Sequence, residues 1–406
     1  MRPWKSNYIT ILIAETIAIA GFGVSGPVIP SLLEEIGITD PKQLNIWYGF
    51  IQSLPSISLA IFAPIWGKLA DLYSRKAMLV RAMFGGAVIL SLMAFTTHPW
   101  QMLVLRSLQG CFTGTVAAAT VLIAGIVPAA KIGLALGLLQ TGVSIGNSLG
   151  PLLGGVLADF IGIRAAFITT GLILLVATFI TIKWVEDDVR PPKAELEDAP
   201  KERGAKRFLP DIKPILASPA LLALMAVTFV IQASNTLSGT ALPLILRQMV
   251  EGRTLINSTN GAVLMAGAIA TALATFIIGK YASRFGYWRT LIFCLGAGCI
   301  LTVPQIFMQS VWQLAVFRSL SLFFIGGAIP VVNAIIATIT EKDHQGSVYG
   351  FNTTVSSTGA ALGPLISSGV SVLLGFRAVF VLIFVILGMS CFGTYKRRKR
   401  IVVESC

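Results

Sequence analysis

Charge is scarce in this sequence. Asp, Glu, Lys and Arg make up 12% of its 406 residues, roughly half the 25% of a soluble globular chain. That shortage excludes an ordinary water-soluble domain. Histidine is scarcer: the chain has His98 and His344, and neither lies in a metal-binding motif. No Ser/His/Asp arrangement, phosphate loop or nucleotide motif appears. The chain is therefore expected to be no enzyme, to hold no metal or cofactor, and not to use ATP. The five cysteines, Cys111, Cys294, Cys299, Cys391 and Cys406, show neither metal-ligand spacing nor a disulfide framework. They are read as small apolar fillers.

What is abundant is apolar sequence, 55% of the residues. A membrane-spanning helix needs about 20 mostly apolar residues. Twelve runs of that kind lie at 8–31, 44–66, 77–96, 100–124, 132–157, 164–184, 218–245, 258–280, 289–307, 311–338, 346–372 and 377–394. The first is too long for a signal-peptide core and lacks a following cleavage site, so it is read as a retained span. The net charge of +13 alone suggests nucleic acid, but its distribution does not. With both termini inside, most Lys and Arg fall on the cytoplasmic side. Lys42, Arg164, Arg247, Arg253 and Arg377 fall outside. That is the positive-inside asymmetry of an inserted protein, and the basic stretch Lys396–Arg400 suits anionic headgroups. The expected partner is thus a lipid bilayer and not nucleic acid. The expected location is a membrane, with both termini on its cytoplasmic side.

The long polar stretch 185–214, rich in charge and proline, cannot bury enough apolar surface to order itself. It separates two halves that repeat. Shifted by 213, Gly133 meets Gly346, Gly150-Pro151 meets Gly363-Pro364, Arg164 meets Arg377, and Ser25–Pro30 meets Ser238–Pro243. Shifted by 212, Arg106–Leu108 meets Arg318–Leu320, and Gly67-Lys68 meets Gly279-Lys280. Six spans return the chain to its starting side, so the repeats are parallel, about an axis along the membrane normal. The expectation is an all-α membrane protein of twelve transmembrane helices in two pseudo-symmetric six-helix bundles. The first bundle is 1–184, a cytoplasmic linker 185–215, the second bundle 216–395, and a basic tail 396–406.

Four motifs carry chemistry. "GKLADLYSRK" (Gly67–Lys76) resembles the loop signature of the major facilitator superfamily. Gly67 permits close helix approach, and Asp71 can accept hydrogen bonds at a helix N-terminus of the opposite half, where anions are favoured. Arg75 and Lys76 hold the loop inside. The second copy has Ser283 in place of the acid, so only the first should form this latch. "LRSLQG" (Leu105–Gly110) resembles the fourth-helix signature of proton-driven members, with Arg106 as an intramembrane charge that faces a cavity or partner. "GLLQTGVSIGNSLGPLLGG" (Gly137–Gly155) resembles the fifth-helix motif of the antiporter branch. Gly142, Gly146 and Gly150 line one helix face, where small residues let backbones approach, and Pro151 interrupts the backbone bonding. These four residues are expected to gate the cavity. Glu15 is the carboxylate well inside an apolar run. A carboxyl that takes a proton from one side and releases it on the other is the minimum device for proton coupling, and the antiporter branch often carries an acid in this first helix.

Together these motifs resemble the twelve-helix drug/proton antiporter branch, and Asn45–Asp71 resembles its bacterial multidrug-efflux subgroup. The resemblance implies export of amphipathic small molecules in exchange for protons, by a monomer, through alternating access. A dedicated exporter of one metabolite, such as a sugar, siderophore or lipid-like molecule, is the other transport reading. It needs more convergent hydrogen bonding. The cavity candidates are Phe22, Gln140, Asn147, Gln232, Asn235, Asn333 and Asn352. A membrane receptor or scaffold is the third class, and Gly67, Asp71, Arg106 and Pro151 argue against it.

Overall fold

The computed structural model describes residues 4–72, 74–128, 131–186, 218–249, 255–340 and 345–404. With no water in hydrocarbon, each backbone N–H and C=O must be satisfied within its own segment, and an apolar run therefore becomes a helix. The described chain is a succession of helices: α1 (Trp4–Glu35), α2 (Pro41–Leu72), α3 (Arg75–Met93), α4 (Pro99–Phe112), α5 (Thr115–Ile126), α6 (Ile132–Ile161) and α7 (Ile163–Trp184). After the linker come α8 (Pro219–Met249), α9 (Ile256–Phe285), α10 (Tyr287–Phe307), α11 (Val311–Ile339), α12 (Gln345–Leu374) and α13 (Phe376–Glu404). Among the described residues, nine of these are long and apolar enough on their own to cross a membrane. Large apolar side chains such as Phe160, Phe276 and Trp312 point outward, a surface suited to lipid and not to water.

Two cores form. Ile11, Ile29, Met83, Leu90 and Phe167 anchor the first, built from α1–α7. Leu242, Leu295, Ile336 and Phe380 anchor the second, built from α8–α13. The bundles meet where α6 packs on α9 and where α2 packs on α12.

Two features depart from the apolar-run reading. The fourth span, expected to be continuous over 100–124, breaks between α4 and α5. Gly114 there has φ +115°, a conformation that costs glycine nothing and other residues a good deal. Its repeat counterpart, Gly326, stays inside the unbroken α11, so the break belongs to one half. Several helices also run past the limits of their apolar runs. α1 reaches Glu35, α6 reaches Ile161 and α8 reaches Met249. Glu34, Asp159 and Arg247, loop charges by composition, are therefore helical. The linker beyond Glu186 lies outside the described residues, and α13 continues as helix through the basic stretch to Glu404.

Candidate functional site

Glu15 sits on the inner face of α1 and is 0% exposed. Neither carboxylate oxygen has a hydrogen bond of ordinary geometry. Thr115, buried at the head of α5, faces it. The break at Gly114 makes this possible: it ends α4 and starts a new helix inside the span. The first N–H groups of a helix have no partner within it, and that end attracts negative charge. The residue opposite Glu15 is thus the first of a half-helix.

Arg106 lies elsewhere in the same bundle. Its Nη2 donates to Ser25 Oγ at 3.0 Å, and its Nη1 donates to Gln109 Oε1 at 2.9 Å. Gln52 Oε1 stands at 3.5 Å, and Gln52 in turn reaches the Tyr48 hydroxyl at 3.4 Å. The guanidinium therefore rests on neutral acceptors from α1, α2 and α4, and no bond joins it to Glu15. Ser25, Gln52 and Gln109 were not picked out from the sequence. The repeat had matched Ser25 to Ser238 and Arg106 to Arg318, and both pairs turn out to be hydrogen-bonded.

The glycine face of α6 packs on α1. A Cβ placed on Gly142 would stand 2.5 Å from Thr16 Oγ1, and one on Gly146 would stand 2.8 Å from the Thr16 carbonyl oxygen. At Gly150 it would run into the Ala20 carbonyl and stand 2.9 Å from Gly23 Cα. Next to this face the same helix turns toward the other bundle. Gly155 lies against the Asn257 carbonyl of α9, and the Pro151 carbonyl lies against Gly261. One short segment thus touches both the helix that carries Glu15 and the opposite bundle.

A polar seal crosses between the bundles beside these contacts. Asp159 Oδ1 accepts from Asn257 Nδ2 at 2.8 Å, and Asp159 Oδ2 accepts from the backbone N–H of Ser258 at 2.7 Å. Leu255, at the head of α9, gives that helix no side-chain cap. Asp159 supplies the cap from the other bundle, where an acceptor and a negative charge are both favoured. Ser31 donates to Asn257 Oδ1 at 2.6 Å and accepts from Arg247 Nη2 at 2.7 Å, while Arg247 pairs with Glu34. Ser368 of α12 donates to the Asn45 carbonyl of α2. The hydrogen bonds described between the bundles cluster at this one end, where α1, α6 and α8 finish and α2 and α9 begin.

The strength of the seal is testable. A helix cap is worth about 1 kcal/mol and the Asn257 bond about 1 more. Asp159→Ala should then raise the population open at this end about thirtyfold, on the scale of 1.4 kcal/mol per tenfold. Distances between spin labels on α1 near Glu35 and on α9 near Leu255 would read it. An unchanged distance distribution would deny Asp159 that role.

The remaining candidates scatter. Gly67 and Asp71 fall in the last turns of α2, where the surroundings of residues 67–72 lie outside what is described. Arg75 reaches the Val121 carbonyl of α5 at 3.4 Å. The Phe22 ring lies over Gly86 of α3, which places it inside the first bundle. Gln140 and Asn147 are exposed on α6. Gln232 and Asn235 are half-buried on α8, Gln232 beside Gly359 of α12. Asn352 and Asn333 do come together, at 3.4 Å, with the Tyr349 hydroxyl donating to the Asn333 carbonyl at 2.8 Å.

The sequence profile of the Major Facilitator Superfamily matches residues 11–304 and again 224–402. The chain belongs to that superfamily. Multidrug resistance protein MdtG of Salmonella paratyphi B is 31% identical over 407 residues, covering 99% of this chain and 98% of its own length. The Salmonella arizonae protein of the same name is 32% identical, covering 93% and 91%. Among solved structures, a bacterial homologue of the human lysosomal transporter Spinster, in an inward-facing and occupied conformation, matches with TM-score 0.77 at 13% identity over 98% of both chains. The nucleoside transporter NupG matches with TM-score 0.75 at 13% identity over 96% of this chain and 98% of its own. These distant structures share the superfamily fold, and the MdtG relatives match this member nearly end to end.

Proposed function

We propose that this superfamily member is a secondary active exporter that moves amphipathic, drug-like molecules out of the cytoplasm in exchange for protons. The observation that carries the reading is Glu15: a fully buried carboxyl opposite the first residue of a half-helix, on the helix that the glycine face of α6 packs against. A proton taken up or lost there changes the charge beside a close-packed contact, and α6 links that contact to the sealed end. The multidrug-resistance names of the MdtG relatives support the substrate class. The positive-inside asymmetry supports termini in the cytoplasm of a bacterial inner membrane, which makes the sealed end external and the state inward-facing. On this reading the halves are 1–184 and 216–395, the polar stretch 185–215 joins them on the cytoplasmic side, and 396–406 is a basic tail. Gly67, Asp71 and Arg75 latch the cytoplasmic side when the seal opens. Gly142, Gly146, Gly150 and Pro151 gate. The protein acts as a monomer.

The paired amides of Asn333 and Asn352 favour the other transport reading, a dedicated exporter of one hydrogen-bonding metabolite, because they offer fixed polar recognition. Inside-out vesicles separate the two. A panel of amphipathic dyes should accumulate when a proton gradient is imposed, and accumulation should fall severalfold when an uncoupler collapses it. Accumulation that ignores the gradient would overturn antiport. Transport of one polar metabolite and none of the dyes would overturn drug export.

A further inference from the structure

The second bundle contains a buried cation that its own sequence does not neutralise. Arg318 of α11 is 4% exposed. It lies about 10 Å inside the helix start at 1.5 Å per residue. The carboxylates of this half, Glu251, Glu341, Asp343 and Glu404, all fall outside its apolar runs. Among the described residues no carboxylate comes within ion-pair distance of Arg318. Its bonded partner is the Ser238 hydroxyl, and its Nε has none. A guanidinium keeps its proton in proteins, so burial without a counter-charge carries the full desolvation cost.

Arg318 borders a small cavity between α8, α10, α11 and α13. Ser234, Ser238, Thr302, Gln305 and Ser321 supply the other polar groups of its wall. The cavity is small, about 10 Å³, and holds at most one small particle. The donors of this wall are unevenly engaged. Thr302 and Ser321 both donate to the Gly298 carbonyl, at 2.8 and 3.2 Å, and Gln305 donates to the Leu301 carbonyl at 3.0 Å. Ser234 Oγ, 2% exposed, has no partner. The unmet groups are thus an N–H of a cation and a hydroxyl, with no negative group in the wall.

We propose that this cavity binds a small monovalent anion of chloride size, held by Arg318 and Ser234. A water molecule would meet the hydrogen bonds but leave the charge. The first bundle shows the contrast. Its repeat-related Arg106, whose Nε is likewise unpartnered, rests on three neutral acceptors where Arg318 has one, and that bundle carries its own buried carboxyl, Glu15. The second bundle has no equivalent acid and takes its negative charge from solution. The site is separate from the proton-carrying and gating residues, so it goes beyond the transport reading and does not depend on it.

The test uses purified protein in lipid nanodiscs, with sodium chloride replaced by sodium gluconate at constant ionic strength. Chloride should raise the unfolding midpoint and saturate, as binding to the native state requires. It should also broaden the chloride-35 resonance. Arg318→Met should lose both effects. Should that variant fail to fold, Ser234→Ala carries the test: it keeps the cation, and the chloride concentration for half-maximal effect should rise about tenfold. Equal midpoints in chloride and gluconate, with no broadening, would mean that water alone fills the cavity and would overturn the proposal. So would a chloride effect that survives unchanged in Ser234→Ala or Arg318→Met.

Discussion

Gly150→Leu is expected to abolish export while leaving the protein inserted in the membrane. The reason is what a side chain there would meet. At Gly150 even a Cβ runs into the Ala20 carbonyl and the Cα of Gly23 on α1. These are backbone atoms of a neighbouring helix, which cannot rotate aside as a side chain can. Overpacking costs about 1–3 kcal/mol even where side chains adjust, and a leucine adds three more carbons to the clash. The helices must separate, and the close contact that the proposed gating relies on, between α1 and the helix that reaches α9, is lost. Efflux should fall to the level of empty vesicles, more than about tenfold below wild type. Gly137→Leu is the control on the same helix, because nothing lies within 4 Å of a Cβ there. It should keep most of its activity. Both variants should be compared at equal amounts of folded protein, judged by size-exclusion profile and unfolding midpoint. Wild-type efflux by folded Gly150→Leu would remove the glycine face from the mechanism.

That face was legible in the sequence because its spacing is local: glycines four apart line one side of any helix. The sequence did not reveal which helix they meet, nor that Gly155 and Pro151 turn to a second one. The same division holds elsewhere. The repeat offset aligned Ser25 with Ser238 and Arg106 with Arg318, but the Arg–Ser bond within each half is a tertiary fact with no sequence period. The seal was missed for a different reason. Glu34, Asp159 and Arg247 lie in helix turns that extend beyond the apolar runs, and by composition such charges read as loop. Their meaning comes from partners in the other bundle, 213 residues away from Glu34 to Arg247 and 98 from Asp159 to Asn257. The break at Gly114 was hidden by its setting, an apolar run in which glycine is common. Its repeat counterpart Gly326 remains helical, so the residue alone does not decide the conformation.

Glu15→Gln is expected to uncouple transport from the proton gradient. Glutamine keeps the shape of a protonated carboxyl and neither gains nor loses a proton near neutral pH. In the present structure Glu15 makes no ion pair with Arg106, whose bonds go to Ser25, Gln109 and Gln52. The residue that faces its carboxyl is Thr115, at the head of α5 in the fourth span. A change in how α1 sits against α5 therefore changes how well a charged Glu15 is stabilised, which is the differential interaction that a ligand-driven shift between two states requires. With glutamine that difference vanishes. Uphill accumulation driven by a pH gradient should be lost entirely. Exchange of substrate down its own gradient should persist, since alternating access itself moves no proton. The decisive measurement is the pH change in weakly buffered purified protein when a transported dye is added. Wild type should release protons and Glu15→Gln should release none. Undiminished release from Glu15→Gln would exclude this carboxyl as the carrier and leave Asp71 as the next acid to replace.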